Sequence, residues 1–518
     1  MIAVAPRLSH SKTLPILAVF VIVSAIGLYY HELFLDEVQH FLIGRDSDSL
    51  LSMYWNMRYD GHPRLWNACL YLITHFITPD PAGMQVFHLL LTSLAAYMLL
   101  RYAPFTLLTK LLILSGYYFL FEYNVLSRNY GPGICLLFAA LVLLQRMDKQ
   151  PADRNLLYLG GLVLLMCNMH LFFTFASIGI FLSLVPEYYA GGRWKERNFL
   201  IFSGMVLLGV VAAVIQLQTP AEDNFFQFGT TRWLHEQNFF FSARGLVKGW
   251  LPLPQSSGGH FWNSYWLNEE RVPFWGWFLL FIGLLVFPGL LLKDSRKALI
   301  FYYASLMPLL FFFVVTNFTA SRYFGMVFIY FLAAAWMKGG IASAAAPLKM
   351  AVYVLLCLHA VIGVYALSDD ILHPFSESRN AAAYLAGRGS ADQRMAVDGC
   401  IAGPMLSAYL GKKVYYLDID QVGSFLTWKR SWFPEQRRSI QDEIKAASYI
   451  RDWKDFILVS NRKMTTDSLP CPDCTHAYTD GKKTYPDRNK YYRLKPLAQF
   501  ENSIVAWEVY YIYQAEKE

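Results

Sequence analysis

The chain reads as an α-helical polytopic membrane protein, about eleven transmembrane helices with added juxtamembrane helices, followed by a small C-terminal α/β domain. Three observations lead there. Of 518 residues, 55% are hydrophobic and only 16% charged, with mean hydropathy +0.30, a balance that suits lipid as the main solvent. Apolar runs long enough to cross a bilayer recur through residue 367. Beyond it the pattern changes to short apolar stretches between polar and helical ones, so the expected domains are 1–367 in the membrane and 368–518 outside it.

Taken in order, Arg7 and Lys12 precede an apolar run from Leu14 to Tyr30. Because further spans follow, this is expected to be an uncleaved first helix. Runs recur at 84–100, 107–123, 130–145, 155–170, 171–186, 199–217, 273–292, 298–316, 322–338 and 348–367. With a cytoplasmic N-terminus, the inside segments carry Arg7/Lys12, Arg101/Lys110, Arg146/Lys149/Arg154, Arg193/Lys195/Arg197, Lys293/Arg296/Lys297 and Lys338/Lys349, so the positive-inside rule holds throughout. Lys110, early in its run, is expected to snorkel inward. Counting residues 62–78 as a crossing would put every later basic cluster outside, so that run is expected to be a helix at the outer interface. Residues 155–186 are flanked by basic loops and must cross twice, with His170 at a tight outer turn. By parity the first loop (31–83), the turn at 122–130, the loop 218–272, the turn at 317–322 and the tail share the outer side of the cytoplasmic membrane.

In the tail, "RMAVDG", "KVYYLD" and "DFILVS" read as strands, about one per helix. The "CPDC" at Cys471 and Cys474 is expected to be a local disulfide or a redox pair, a half zinc site being weaker without a second such motif. The net charge of +7 is spread over short loops, so it reports topology and not nucleic-acid binding.

Ionisable residues gather at the outer membrane boundaries. "LFLDEVQHFLIGR" (33–45) places Asp36, Glu37 and His40 directly behind the first helix, where an unpaired carboxylate is costly; the bland alternative is that the acids cap the helix that follows. "MRYDGHPRLW" (57–66) adds Arg58, Asp60 and His62; "FEYNVLSRNYG" (121–131) adds Glu122, Arg128 and Tyr130; "NMHLFF" (168–173) adds His170; "ASRYF" (320–324) adds Arg322 and Tyr323. HExxH is absent, since "HELFL" has Leu35 at the second histidine position.

These motifs resemble those of the GT-C superfamily of integral membrane glycosyltransferases, in the bacterial branch related to the lipid A aminoarabinose transferase and the protein O-mannosyltransferases. Asp36-Glu37 follows helix one; "DGHPRLW" resembles the family's G-H-P-P-L-Y-Y element, "SRNYG" its E-A-R-x-Y element, "NMHLFF" its T-H-Y-F and "SRYF" its R-Y-L, in family order. The chain departs at Arg64, where a second proline is usual, and at Leu126/Ser127, where E-A is usual. The resemblance implies transfer of a sugar from a polyprenyl-phosphate donor to a glycan, lipid or protein acceptor at the outer face. It implies a carboxylate base, for which Asp36 is the candidate, with Glu37 as alternate or orienter. Arg58, His62, Arg128 and Arg322 are candidate phosphate binders, His62 when protonated. Asp60, Tyr130 and Tyr323 are expected to contact substrate, and Glu122, His40 and His170 are the residues expected to hold a divalent cation if one is used. Trp55, Trp66 and the "WNSYW" at 262–266 are candidates to stack on sugar or line the prenyl groove, interfacial anchoring being the alternative. A lipid-linked sugar flippase or transporter is the competing reading; it would need polar groups at the midplane and related halves.

Overall fold

The computed structural model describes residues 8–149, 153–224, 236–255, 261–267, 271–316, 320–388, 394–433, 440–450, 452–465, 484–486 and 492–517. The protein is mostly helical (66%) with a sheet near its C-terminus. The chain enters through α1 (His10–Tyr30), then lays down three short helices, α2 (Leu35–Arg45), α3 (Leu50–Asn56) and α4 (Leu65–Phe76), before α5 (Pro81–Tyr102). Next come α6 (Leu107–Leu114), a π-helical turn at Tyr118–Glu122, α7 (Tyr130–Met147), α8 (Asp153–Met169), α9 (Leu171–Ala190) and α10 (Arg197–Leu217). The bundle is completed by α11 (Glu236–Trp250), α12 (Phe274–Leu292), α13 (Arg296–Thr316), α14 (Ser321–Lys338) and α15 (Ala346–Leu372).

Eight of these, α1, α5, α7, α9, α10, α12, α13 and α15, are long and apolar enough to cross a membrane, as expected of a multi-pass membrane protein. The other three expected crossings take different forms. Residues 107–123 are not one helix: α6 stops at Leu114 and helical structure resumes only at Tyr118. The segment α8 has 17 residues, and α14 has 18 with Arg322 and Lys338 near its ends. Lys110 does not snorkel; it is buried, and its Nζ donates to the Leu100 carbonyl at 2.8 Å, capping the last turn of α5.

The run at 62–78 becomes α4, 12 residues and too short to span. Its Trp66, Leu70 and Ile73 pack with Val38, Phe41 and Leu42 of α2, while Leu72 and Phe76 stay exposed, the two-faced pattern of a helix lying on an interface. The loop 218–272 contains an element the sequence reading left out. At its far end α11 sends Trp250 among Phe287, Phe328 and Phe331, and the Trp250 carbonyl accepts a 2.8 Å hydrogen bond from His359 Nε2, midway along α15. So α11 dips into the bundle and the chain returns.

The tail adds α16 (Ser378–Gly387), β1 (Met395–Asp398), α17 (Ala402–Leu410), β2 (Val414–Tyr416), β3 (Gln421–Gly423), α18 (Ile440–Ala446), β4 (Asp455–Ser460), β5 (Lys463–Thr465), β6 (Thr484–Pro486), β7 (Tyr492–Phe500) and β8 (Tyr510–Lys517). Six strands form one mixed sheet in the order β3-β2-β1-β4-β8-β7, with β1 parallel to both β2 and β4 and the β7–β8 hairpin antiparallel; β5 and β6 pair separately. Strands outnumber helices here, because the hairpin adds two without a helix between them. The "CPDC" motif lies outside the described residues.

The tail is packed onto the start of the chain. Leu33, Leu35 and Val38 share one apolar cluster with Met405, Tyr416 and Tyr510. Backbone groups are met as well: Leu35 N donates to Glu508 Oε1 (2.8 Å), Leu33 N to Tyr409 Oη (2.9 Å) and Phe375 N to Glu32 Oε2 (2.9 Å). With its backbone donors satisfied, the α1–α2 junction is rigidly placed.

Candidate functional site

The turn between α1 and α2 brings Asp36 and His40, one helical turn apart, to the same wall of a cavity of about 680 Å³, within the usual range for ligand sites. Asp36 is ion-paired twice. Its Oδ2 is in close contact with Arg322 Nη2 and lies 3.3 Å from Arg128 Nη1, and Arg128 Nη1 also donates to the Asp36 carbonyl at 2.7 Å. Burial alone would raise the Asp36 carboxyl, but the Arg322 and Arg128 guanidinium groups outweigh it and hold it below the usual carboxylate range. Two cations meet one anion, which leaves a net positive wall.

Arg128 Nε and Arg322 Nε, with the neighbouring Tyr130 Oη, are buried without a hydrogen-bond partner among the described residues. Orphaned donors of this kind are costly unless something accepts from them. The cavity also carries the neutral rings of His40, His62 and His170, spaced 5.2 and 5.5 Å between centroids, and His170 continues onto Tyr130 at 4.6 Å. Burial, with Arg128 adding to it, pushes His62 down to about 3 and His40 well below the ordinary histidine value; burial, then His62 and Arg128, does the same to His170. The expectation of a protonated His62 is therefore corrected: burial first, and then the Arg128 guanidinium, disfavour a second cation there. Tautomers follow from the partners. Asn67 Nδ2 donates to the His40 carbonyl (3.1 Å), which turns its Oδ1 toward His40 Nδ1 (2.8 Å), so the proton sits on Nδ1; His170 Nδ1 accepts from Phe172 N (3.1 Å), so its proton sits on Nε2.

Of the expected site residues, Asp36, His40, Asp60, His62, Arg128, His170, Arg322 and Tyr323 line this one cavity, and Tyr130 touches it through the His170 ring, tilted 44° against it. Three do not reach it. Glu37 is wholly buried, taking 3.0 Å from His31 Nε2, 2.5 Å from Ser127 N and 3.2 Å from Phe34 N, so it caps α2 and ties it to the segment that carries Arg128. A base role for Glu37 is corrected on that ground, since no acceptor can approach it. Arg58 is exposed, its guanidinium 5.2 Å from the Tyr59 ring. Glu122 accepts from Tyr117 Oη (2.6 Å) and Trp262 Nε1 (3.2 Å), away from the histidines. Among the described residues, no three His, Cys, Asp or Glu side chains assemble as metal ligands, so Glu122, His40 and His170 do not form the expected set.

The expected aromatic platforms lie elsewhere. Trp66 stacks on Phe87, Trp262 is buried against Phe34 and Phe375, and Trp55 and Trp266 are exposed. The indole at the cavity is Trp428, from the tail, which the sequence reading missed together with Gln39. Gln39 holds the tail loop through both its ends: Leu426 N donates to Oε1 and Nε2 donates to the Leu426 carbonyl, each at 2.8 Å. The aromatic and basic "LTWKRSWF" (426–433) was the available signal. No family model matches the chain, and no curated protein matches it.

Proposed function

We propose that the protein is a GT-C-type glycosyltransferase of the cytoplasmic membrane, with eleven crossings, its cavity facing outward, moving a sugar from a polyprenyl-phosphate donor to a hydroxyl acceptor. The observation that carries the reading is the pair of guanidinium groups, Arg128 and Arg322, held at one cavity wall with unpartnered Nε–H groups beside Tyr130. Paired guanidiniums suit the oxygens of a phosphate and stabilise it as it leaves with the bonding electrons. The acceptor's hydroxyl attacks the anomeric carbon, the carbon–oxygen bond to the phosphate breaks, and a carboxylate takes the proton. Two carboxylates, Asp36 and Asp60, line the cavity. Asp36 is the one the sequence motif favours; its two arginines keep it ionised and also weaken it as a base.

The test is polyprenyl phosphate binding to purified protein, alongside sugar release from a set of polyprenyl-phosphate-linked hexoses. Arg128→Ala or Arg322→Ala should weaken binding about 10- to 100-fold, the worth of one charge-assisted hydrogen bond. Unchanged binding in both variants overturns the reading. Movement of the lipid-linked sugar between leaflets with no sugar released or transferred would instead support the flippase.

A further inference from the structure

Asp60 lines the same cavity, just before Gly61, whose φ of +63° makes the sharp turn into His62. Both of its protein hydrogen bonds fall on one oxygen. Gln39 Nε2 donates to Oδ1 at 3.4 Å and Trp428 Nε1 at 3.2 Å, while Oδ2 has no partner among the described residues. Asp36, in contrast, has two cations, Arg322 and Arg128, both on Oδ2. The two cavity carboxylates are thus built differently: Asp36 is ion-paired to two guanidinium groups, whereas Asp60 has no ion pair among the described residues and is steadied by two neutral donors on Oδ1.

We infer that Asp60 is the catalytic carboxylate that accepts the acceptor's proton, with Trp428 of the C-terminal domain as its positioning residue. The inference rests on the transferase reading. In the step, the acceptor oxygen bonds to the anomeric carbon, the bond from that carbon to the phosphate oxygen breaks with its electrons going to polyprenyl phosphate, and the acceptor's proton passes to Asp60 Oδ2. Asp36 then serves to hold Arg128 and Arg322 together for the phosphate.

Burial lifts the Asp60 carboxyl to about 7, against the pull of Gln39, Trp428 and the Arg128 charge, and the Asp36 charge adds to the rise. A base with its midpoint near the working pH transfers protons most effectively. The groups facing it are Asp36 and His40 from α2, Tyr59 and His62 beside it, Arg64, whose charge acts on it, Arg128, His170 from α9, Arg322 from α14, and Lys429, whose Nζ sits 5.4 Å from the Tyr59 ring. The three histidines are neutral, so they do not titrate in the same range. Trp428 is backed by Phe433, ring centroids 5.3 Å apart and planes 9° from parallel, and its loop is anchored by Ser431 N and Oγ on the Asp223 carboxylate (3.0 and 2.6 Å). The tail therefore completes the site as well as covering it.

The experiment measures sugar released to water from polyprenyl-phosphate-linked hexoses across pH, with polyprenyl phosphate binding in parallel. Asp60→Asn should lower release about 10²- to 10⁴-fold, the usual share of general base catalysis, while binding stays within about threefold. Wild type should lose activity as pH falls through about 7, and this limb should be absent in Asp60→Asn. Trp428→Phe keeps the ring but removes a donor to the ionised carboxylate, so it should move the limb to higher pH with little change in binding. Asp60→Asn with near-normal release, or an acid limb that survives in it and disappears in Asp36→Asn, overturns the inference and leaves the transferase reading standing. A wild type that neither binds polyprenyl phosphate nor releases sugar overturns both. If Asp60→Asn fails to fold, Trp428→Phe decides: an unmoved limb overturns the assignment.

Discussion

At the scale of residues, the two adjacent acids behind the first helix divide their labour by direction. Asp36 points into the cavity and Glu37 points back into protein, where His31 bridges it (3.0 Å) to Asp370 (3.0 Å) with every side chain buried. Burial would lower the His31 ring, but the Asp370 and Glu37 carboxylates outweigh it and raise it to about 10; Glu32 and Arg379 complete the charged surroundings. A group raised in the folded state stabilises fully below its unfolded value, near 6.5, and loses that contribution as pH rises through 10. Thermal unfolding of detergent-solubilised wild type should therefore show stability falling from pH 7 to 10. His31→Gln should be less stable by about 3–5 kcal/mol at pH 7, since it leaves two carboxylates without their cation, and its stability should be flatter over that range. An equal slope in both proteins would refute the assignment of the proton to His31. The motif around Asp36 was legible in sequence because each ionisable group there is expensive at a membrane boundary; which of two neighbouring acids faces the ligand was not, because that depends on His31 and Ser127.

At the scale of elements, helices with one dominant apolar run were legible and interrupted ones were not. Residues 107–123 look continuous in composition, yet the chain breaks after Leu114 and re-forms as a π-turn that presents Glu122 to Tyr117 and Trp262. Strands at 395–398, 414–416 and 455–460 coincide with apolar runs, whereas β7 carries Pro496 and alternates irregularly, so its pairing with β8 is visible only in the sheet. The dip of α11 relies on close approach to α14. A Cβ on Gly249 would collide with the Phe324 carbonyl oxygen and meet Val327 Cβ at 2.9 Å. Gly249→Val should destabilise the protein by about 1–3 kcal/mol through overpacking, read as a lowered melting temperature. An unshifted melting point would mean that α11 is not lodged against α14.

At the scale of the whole molecule, the site sits at one end of the bundle and the lysines of the connecting segments, Lys297 and Lys338, lie at the other. The cavity takes residues from the ends of α2, α9, α10, α13 and α14 and from the tail, while Lys297 pairs with Asp148 (2.7 Å) and Lys338 with Asp294 (3.3 Å) at the opposite helix ends. The proposed orientation, in which these basic helix ends lie inside by the positive-inside rule, would put the cavity and tail outside. Cysteines introduced at Trp194 and Val422, both well exposed, should respond oppositely to a membrane-impermeant reagent on intact cells: Val422→Cys labelled, Trp194→Cys protected. Labelling of Trp194→Cys from outside inverts the topology.

The sequence by itself determined the membrane class, the sidedness expected from basic loops and the set of motifs from which a site is drawn, because hydropathy and charge act through composition over short windows. Only the tertiary structure decided that Arg128 and Arg322, 194 positions apart by their numbering, close on one carboxylate, that Glu37, Arg58 and Glu122 stay outside the cavity, and that Trp428 reaches Asp60 from the tail. Such pairings depend on how helices stack and where a distant loop is clamped by Gln39, and short-range patterns carry no record of that.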